Sequence, residues 1–447
     1  MSRRWTATAL AEASGATVIA DPGGSASGFA IDSREVAPGE LFIGIPGATV
    51  DGGSFAAPVI ESGAFGALVT APFVEGAVEA GGVVLEHPDP VAALGSIAAA
   101  HRSRLDCPVI GITGSSGKTS TKDILEAILS DAGRTLATRG NRNTEIGMPL
   151  EILRADEATD FLVLEMAMRG SGQIAELAAI ARPTVGVIVS IGPAHLELLG
   201  SLEAIAAAKS ELIAALEPGS GAVMPADERL LDPHFRDDLT TVTFGEGGDL
   251  QLAREDGRHL TVSRGGEEIE ITVDFDQPHN RRNLLAALAA AGLVGVRPPS
   301  DLHVRFSSGR GERLVLEGDI LVINDCYNAN PASVAAGLAD LERESSGRGE
   351  RSVAVLGDML ELGPAEVEFH ESIGAAAARA GVGFLITVGE RSLATARGFG
   401  GSGVHFEDAA SAALAVRELL QPGDTVLVKG SRSVGLEAVV KALGEAV

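Results

Sequence analysis

Short apolar runs alternate with longer Ala/Leu-rich stretches along most of this 447-residue chain. Between about 105 and 296 the runs CPVIGITG, FLVLEMA and TVGVIVSIG are rich in β-branched residues. Stretches of helical period, such as TKDILEAILSDAG and GQIAELAAIA, follow the first two. Near-continuous apolar runs suit strands buried on both faces, so the alternation predicts a mostly parallel sheet with helices on both sides. Past RPPSDLHVRFSSGRGER, whose prolines and serines mark a joint, come DILVIND, RSVAVLGDM, GFLITVG and DTVLVKGS, each followed by a helical stretch. That pattern predicts a small Rossmann-like unit. It lacks G-x-G-x-x-G, so dinucleotide binding is not expected of it. Before residue 105, IDSREVAPGELFIGIPG and FAAPVIESGAFGALVT interleave short strands with small helices. The expected class is α/β in three units, 1–104, 105–300 and 301–447, in line with roughly 150 residues per domain.

Composition narrows the partners. Hydrophobic residues make up 45% of the chain but aromatic ones only 4%, so aliphatic side chains must do the packing. A formal charge of −26 disfavours nucleic acid and anionic lipid, and an anionic ligand has to be held by local cations. Cys107 and Cys326 are too few for a disulfide framework or a cysteine metal site. The N-terminus carries Arg3 and Arg4 with no apolar segment before Glu12, and the run Leu284 to Val296 is too short to span a bilayer. A soluble, cytoplasmic protein without membrane insertion is expected.

The segment VIGITGSSGKTS, Val109 to Ser120, carries the strongest chemical signal. An apolar strand runs into Gly114-Ser115-Ser116-Gly117 and then Lys118-Thr119-Ser120 at a helix start. Backbone N–H groups of such a turn converge on phosphate, the lysine adds a cation, and the threonine hydroxyl suits Mg²⁺. The spacing is not G-x-x-x-x-G-K-S/T, because Ile112 stands where the first glycine would be. A chance Gly-rich turn is the competing reading, and the flanking strand and helix count against it.

Other polar residues fall at strand ends or on apolar faces, where ligands of parallel sheets bind. Glu165 ends FLVLE and offers a hard oxygen for Mg²⁺, or faces water. His195 follows TVGVIVSIGPA and fits either a contact near the phosphates or a structural cap. Lys209 shares a helical stripe with Leu202, Ile205, Leu212, Ile213 and Leu216. Burial there favours the neutral amine, unless the head snorkels to water. Asn280 and Asn283 open the helix HNRRNLLAALAAAG and offer donors and acceptors to a purine edge, although Asn280 would also serve as a cap. In NDCYNANP, Asn330 before Pro331 reads as a helix cap, which leaves Asp325, Tyr327 and Asn328 as candidates. Arg310 sits at the joint, placed either to reach a transferring phosphoryl group or to face solvent.

Taken together, TGSSGKTS, GNRNTEIGMPL, EMAMRGSGQI, IGPAHLELLGS, AKSEL, HNRRN, NDCYNANP, VLGDMLELG and VLVKGSRS resemble the Mur ligases along all three units. YNANP and GDMLELG resemble the branch that adds D-alanyl-D-alanine to UDP-N-acetylmuramoyl-tripeptide. The resemblance implies ATP and Mg²⁺ in the central unit, the UDP-sugar in the first and the dipeptide in the third. It further implies Lys118 on the phosphates; Thr119, Glu165 and His195 on metal; and Lys209 carbamylated. Asn280 and Asn283 would contact adenine, Asp325 the ribose, and Arg310 would act between domains. Ser33 and Arg34 are the candidates for the uridine, Asn143 and Thr144 for the sugar-peptide, and Tyr327, Asn328, Asp358 and Lys429 for the remaining substrate contacts. A monomer is expected. Two positions depart from the family pattern: Ser116, commonly asparagine, and Ala167, often glycine. The rival readings are a Mur-type ligase for another amino acid and a noncatalytic nucleotide-binding partner.

Overall fold

A computed structural model describes residues 5–349 and 351–444; Arg3 and Arg4 lie outside the described residues. Three sheets organise the chain. The first orders its strands Thr17–Ala20, Val83–Glu86, Gly66–Val69, Leu41–Ile43 and Phe29–Ala30. The helix Pro90–Arg102 covers one face with Ala93, Leu94 and Ile97. It starts where the sequence says it should, with Asp89 accepting two backbone N–H groups and Pro90 in the first turn.

The second sheet has ten strands with Val109–Thr113 third from one edge, parallel to Phe161–Glu165 on one side and Val185–Ile188 on the other. From this strand the chain goes to the edge strand Thr135–Ala137 and back to Phe161–Glu165 on one side, then crosses to Val185–Ile188 on the other; that change of direction opens a crevice at the carboxyl ends, where the phosphate loop begins. Alternation along the strands sorts side chains between two helical layers. Leu162 and Leu164 face the layer containing Ile174, Ile205 and Leu212. Ile110, Ile112 and Val163 face the layer of Lys118–Ser130 and Pro278–Leu293. Glu165, two residues beyond Val163, falls on that second face and so meets the first turn of the phosphate-loop helix.

Several features depart from expectation. Beyond Thr240–Phe244 the central sheet continues as an antiparallel meander, Leu250–Asp256, His259–Arg264 and Glu267–Val273. These strands leave one face largely in water, as the single buried end of Leu250–Asp256 illustrates, so no continuous apolar run announces them. Asp301–Leu302 pairs in parallel with the last strand of the meander and not with the sheet of the third unit. Its first strand, Glu312–Leu316, lies partly inside the segment read as a joint and runs antiparallel to Ile320–Asn324. The remaining strands, Thr425–Lys429, Ser352–Gly357, Phe384–Val388 and the unexpected edge strand Gly403–Phe406, are parallel. Among the described residues no helix is long and apolar enough to cross a membrane.

Candidate active site

A cleft of about 800 Å³ lies between the carboxyl ends of the second and third sheets. Its floor is the loop from Gly114 to Gly117. Both glycines have positive φ, 157° and 83°, and a Cβ on Gly117 would stand 2.5 Å from Asn283 Oδ1, so only glycine permits this approach. The loop is tied to the next strand end: Ser115 N–H donates to Ser190 C=O at 2.9 Å, and Ser116 N–H to Ser190 Oγ at 2.9 Å. Lys118 donates to its own loop at Gly114 C=O, 2.7 Å. Burial lowers its pKa, which Glu165 opposes and Arg310 reinforces.

Glu165 is buried at 1% exposure, and both its oxygens are engaged, by Thr119 Oγ1 at 2.7 Å and Asn143 Nδ2 at 2.9 Å. Its backbone N–H is held by Thr138 Oγ1 at 2.9 Å, a supporting residue the sequence did not announce. His195 lies in the same cleft at φ 62°, with Nδ1 against Glu361 Oε2 of the third unit. Burial lowers its pKa against the pull of Glu361, with Lys118 and Lys209 adding to the drop, so the neutral ring is favoured.

Lys209 occupies the buried face of Leu202–Ala214 as the stripe predicts, at 2% exposure, although Leu202 itself is exposed. Its pKa falls well below the ordinary lysine value, first through burial and then through Lys118. It stands behind the cleft wall rather than lining it. Asn283 lines the cleft; Asn280 sits behind it and accepts from Asn283 Nδ2 at 3.3 Å.

From the third unit come Arg310, Asp325, Tyr327, Asn328, Asn330 and Lys429. Asp325 follows and Lys429 ends adjacent parallel strands, which is why the Lys429 ammonium reaches Asp325 Oδ2 at 2.6 Å and Asn328 C=O at 3.0 Å. Arg310 lies over the Tyr327 ring at 4.2 Å, with Arg432 at 5.4 Å from the same ring. Asn330 caps Pro331–Arg348 as read, with Ser333 completing a capping box, and it also donates to Ser116 Oγ at 2.9 Å across the units. A cap signal alone says nothing of such a contact.

Some candidates lie elsewhere. Asp358 is not among the residues that line the cleft; its buried carboxylate accepts Ser392 N–H at 2.8 Å and braces a turn. Arg34 pairs with Asp32 at 2.6 Å on an exposed loop of the first unit, beside Ser33. Asn143 and Thr144 do line the cleft.

Among the described residues no three His, Cys, Asp or Glu side chains form a ready metal cluster. A buried carboxylate bonded to a hydroxyl, with a neutral imidazole in the same cleft, is nevertheless a donor set that fits a cation also held by phosphate oxygens.

The chain matches family models described as Mur ligase middle domain over 112–291, Mur ligase, glutamate ligase domain over 309–432, and Mur ligase family, catalytic domain over 25–102. It is 39% identical to the UDP-N-acetylmuramoyl-tripeptide–D-alanyl-D-alanine ligase of Synechocystis, covering 92% of this chain and 90% of that one. To the enzyme of the same name from Bacillus subtilis it is 35% identical, over 94% and 93%. Among solved structures, MurF from Acinetobacter baumannii superposes with a TM-score of 0.87 at 28% identity, over 99% of each chain. MurF ligase from Thermotoga maritima in complex with ADP gives 0.81 at 28%, over 94% of this chain and 97% of that one.

Proposed function

The chain belongs to the Mur ligase family, and on that premise we propose that it joins D-alanyl-D-alanine to UDP-N-acetylmuramoyl-tripeptide at the expense of ATP, in the cytoplasm, as a step of peptidoglycan synthesis. The observation that carries the reading is the gathering of Lys118, Thr119, Glu165, His195 and Arg310 around one cleft at the phosphate loop.

A free carboxylate is a poor electrophile, so the tripeptide's terminal carboxylate first attacks the γ-phosphorus of ATP. The bond to the β-phosphate oxygen breaks, ADP leaves, and an acyl phosphate forms. The dipeptide amine then attacks the acyl carbon, loses a proton, and expels phosphate through a tetrahedral intermediate. Phosphoryl transfer asks mainly for positioning and charge neutralisation. Lys118, released from Gly114 C=O, meets the phosphates along with the N–H groups of Gly117 to Ser120, those of Ser115 and Ser116 being taken by Ser190. Arg310 approaches the same charge from the third unit. Asn283, supported by Asn280, faces the base, and Asp325 faces the ribose. Asn143 and Thr144 meet the peptide end of the nucleotide-sugar, whose uridine end falls to Ser33 and Arg34. Tyr327, Asn328 and Lys429 border the dipeptide.

Thr119, Glu165 and His195 would hold Mg²⁺, which lowers the charge barrier between carboxylate and phosphate when bound. Lys209 would join them as a carbamate: its buried, neutral amine is the form that adds CO₂ and gives up a proton, and the longer, anionic group would reach toward the cleft and gain in sitting among cations. Water has to be kept from the acyl phosphate, a task for the third unit closing over the cleft.

The test is phosphate release with ATP, Mg²⁺, UDP-N-acetylmuramoyl-tripeptide and D-alanyl-D-alanine. Release that requires all four supports the reading. Release with a different amine but not the dipeptide favours another Mur-type ligase, and none with any amine favours a noncatalytic nucleotide binder.

A further inference from the structure

Two turns from different units dock at the edge of the cleft. Residues 195–197 of the central unit meet 361–363 of the third. Glu361 Oε2 engages His195 Nδ1, and Glu197 N–H donates to Glu361 C=O at 3.2 Å. Gly363 lies so close that a Cβ on it would stand 3.3 Å from Glu197 Cα. Both members of the side-chain pair hold left-handed backbones, φ 62° for His195 and 61° for Glu361, and among the described residues only Arg182 and Asp319 are other non-glycines with positive φ. Such backbones cost free energy and persist where the surroundings impose them.

With Nδ1 engaged by the carboxylate, Nε2 is the one ring nitrogen left to face a cation. A carboxylate on the second nitrogen of a ligating histidine fixes its tautomer and ring orientation. Lys118, Thr119, Glu165 and His195 all belong to the central unit, whereas this carboxylate arrives from the third.

We propose that Glu361 is a positioning residue: by holding His195 it completes the cation site only when the third unit is docked. The proposal rests on the assignment of His195 to the cation. It links the docked arrangement of the two units to tight cation binding, so a nucleotide bound before docking meets an incompletely oriented site.

The test is Mn²⁺ binding to the full chain in the presence of ADP, followed by electron paramagnetic resonance, with thermal unfolding measured in parallel. Glu361→Gly removes the carboxylate and relieves the left-handed backbone; Glu361→Asn also tolerates that backbone but is too short to reach the ring. Both should weaken Mn²⁺ binding about 10- to 100-fold with no loss of unfolding temperature. Glu361→Gln, which keeps an acceptor oxygen, should restore most of it. Should the glycine variant fail to fold, the asparagine variant carries the test. Wild-type affinity in whichever of the two folds, while His195→Ala weakens binding, overturns the positioning role alone. Wild-type affinity in His195→Ala overturns the assignment on which it rests.

Discussion

Lys118, Thr119, Glu165 and Ser190 owe their positions to three adjacent parallel strands, whereas Asn330 and Glu361 reach the same cleft from the third unit through side-chain contacts. The first set is fixed by hydrogen-bonded backbone and buried apolar layers, so it is in place whether or not the units are docked. The second set exists only when they are. An enzyme that must capture a nucleotide and then shield a reactive acyl phosphate needs both kinds of construction, a rigid cradle and a removable wall.

Arg310 tests the removable half most severely. It belongs to the joint, rests on Tyr327, and is close enough to Lys118 to affect its charge. Arg310→Ala should lower kcat by about 10³- to 10⁵-fold in single-turnover phosphate release, and a loss under about threefold would return the residue to the solvated surface.

Lys209 tests the rigid half. Lys209→Ala should lower turnover about 10²- to 10³-fold and regain part of it with formate or acetate, the loss of a preorganised charge being of that size. Full activity without added carboxylate would remove the carbamate. In CO₂-free buffer, where Lys209 is a free amine, stability should move in the opposite direction. The folded pKa of Lys209 is lowered, so the unfolded chain binds the extra proton, and wild-type stability rises with pH from the depressed value up to the ordinary 10.5. Lys209→Met should flatten that slope and raise the unfolding temperature at neutral pH, by roughly 2 to 4 °C for a gain of about 1 kcal/mol.

Asn330→Ala removes a cap and a contact between the units at once. The cap costs about 0.5–2 kcal/mol, visible as faster amide exchange over 331–348. If the bond to Ser116 matters, exchange should also quicken in the phosphate loop, and an unchanged loop would confine Asn330 to its helix. The smallest effect on catalysis is expected from Asp358→Ala. Losing the acceptor for Ser392 N–H should destabilise the third unit by about 1–3 kcal/mol while leaving KM for both substrates unchanged. A large rise in KM for the dipeptide would put Asp358 back among the substrate contacts.

The cradle was legible because its signals are local: a β-branched strand, two glycines, a lysine at a helix start, and a carboxylate at the end of the neighbouring strand. Lys209 was legible for the same reason, since helical periodicity alone puts it between Ile205 and Leu212. The meander from 250 to 273 was hidden because half-exposed strands carry no continuous apolar run. Glu361 and the second role of Asn330 were hidden because their partners lie 166 and 214 residues away in sequence, and no local pattern encodes such a meeting. Asp358 is a polar residue within a characteristic motif whose carboxylate holds a turn, a contact the motif alone does not announce.

The central claim is that the carboxylate itself is phosphorylated before the amide forms. With UDP-N-acetylmuramoyl-tripeptide labelled with ¹⁸O in its terminal carboxylate, mass spectrometry of the released phosphate should find one labelled oxygen per phosphate, and its formation should require both ATP and D-alanyl-D-alanine. Unlabelled phosphate, formed at the same rate as the dipeptide is consumed, would contradict the account.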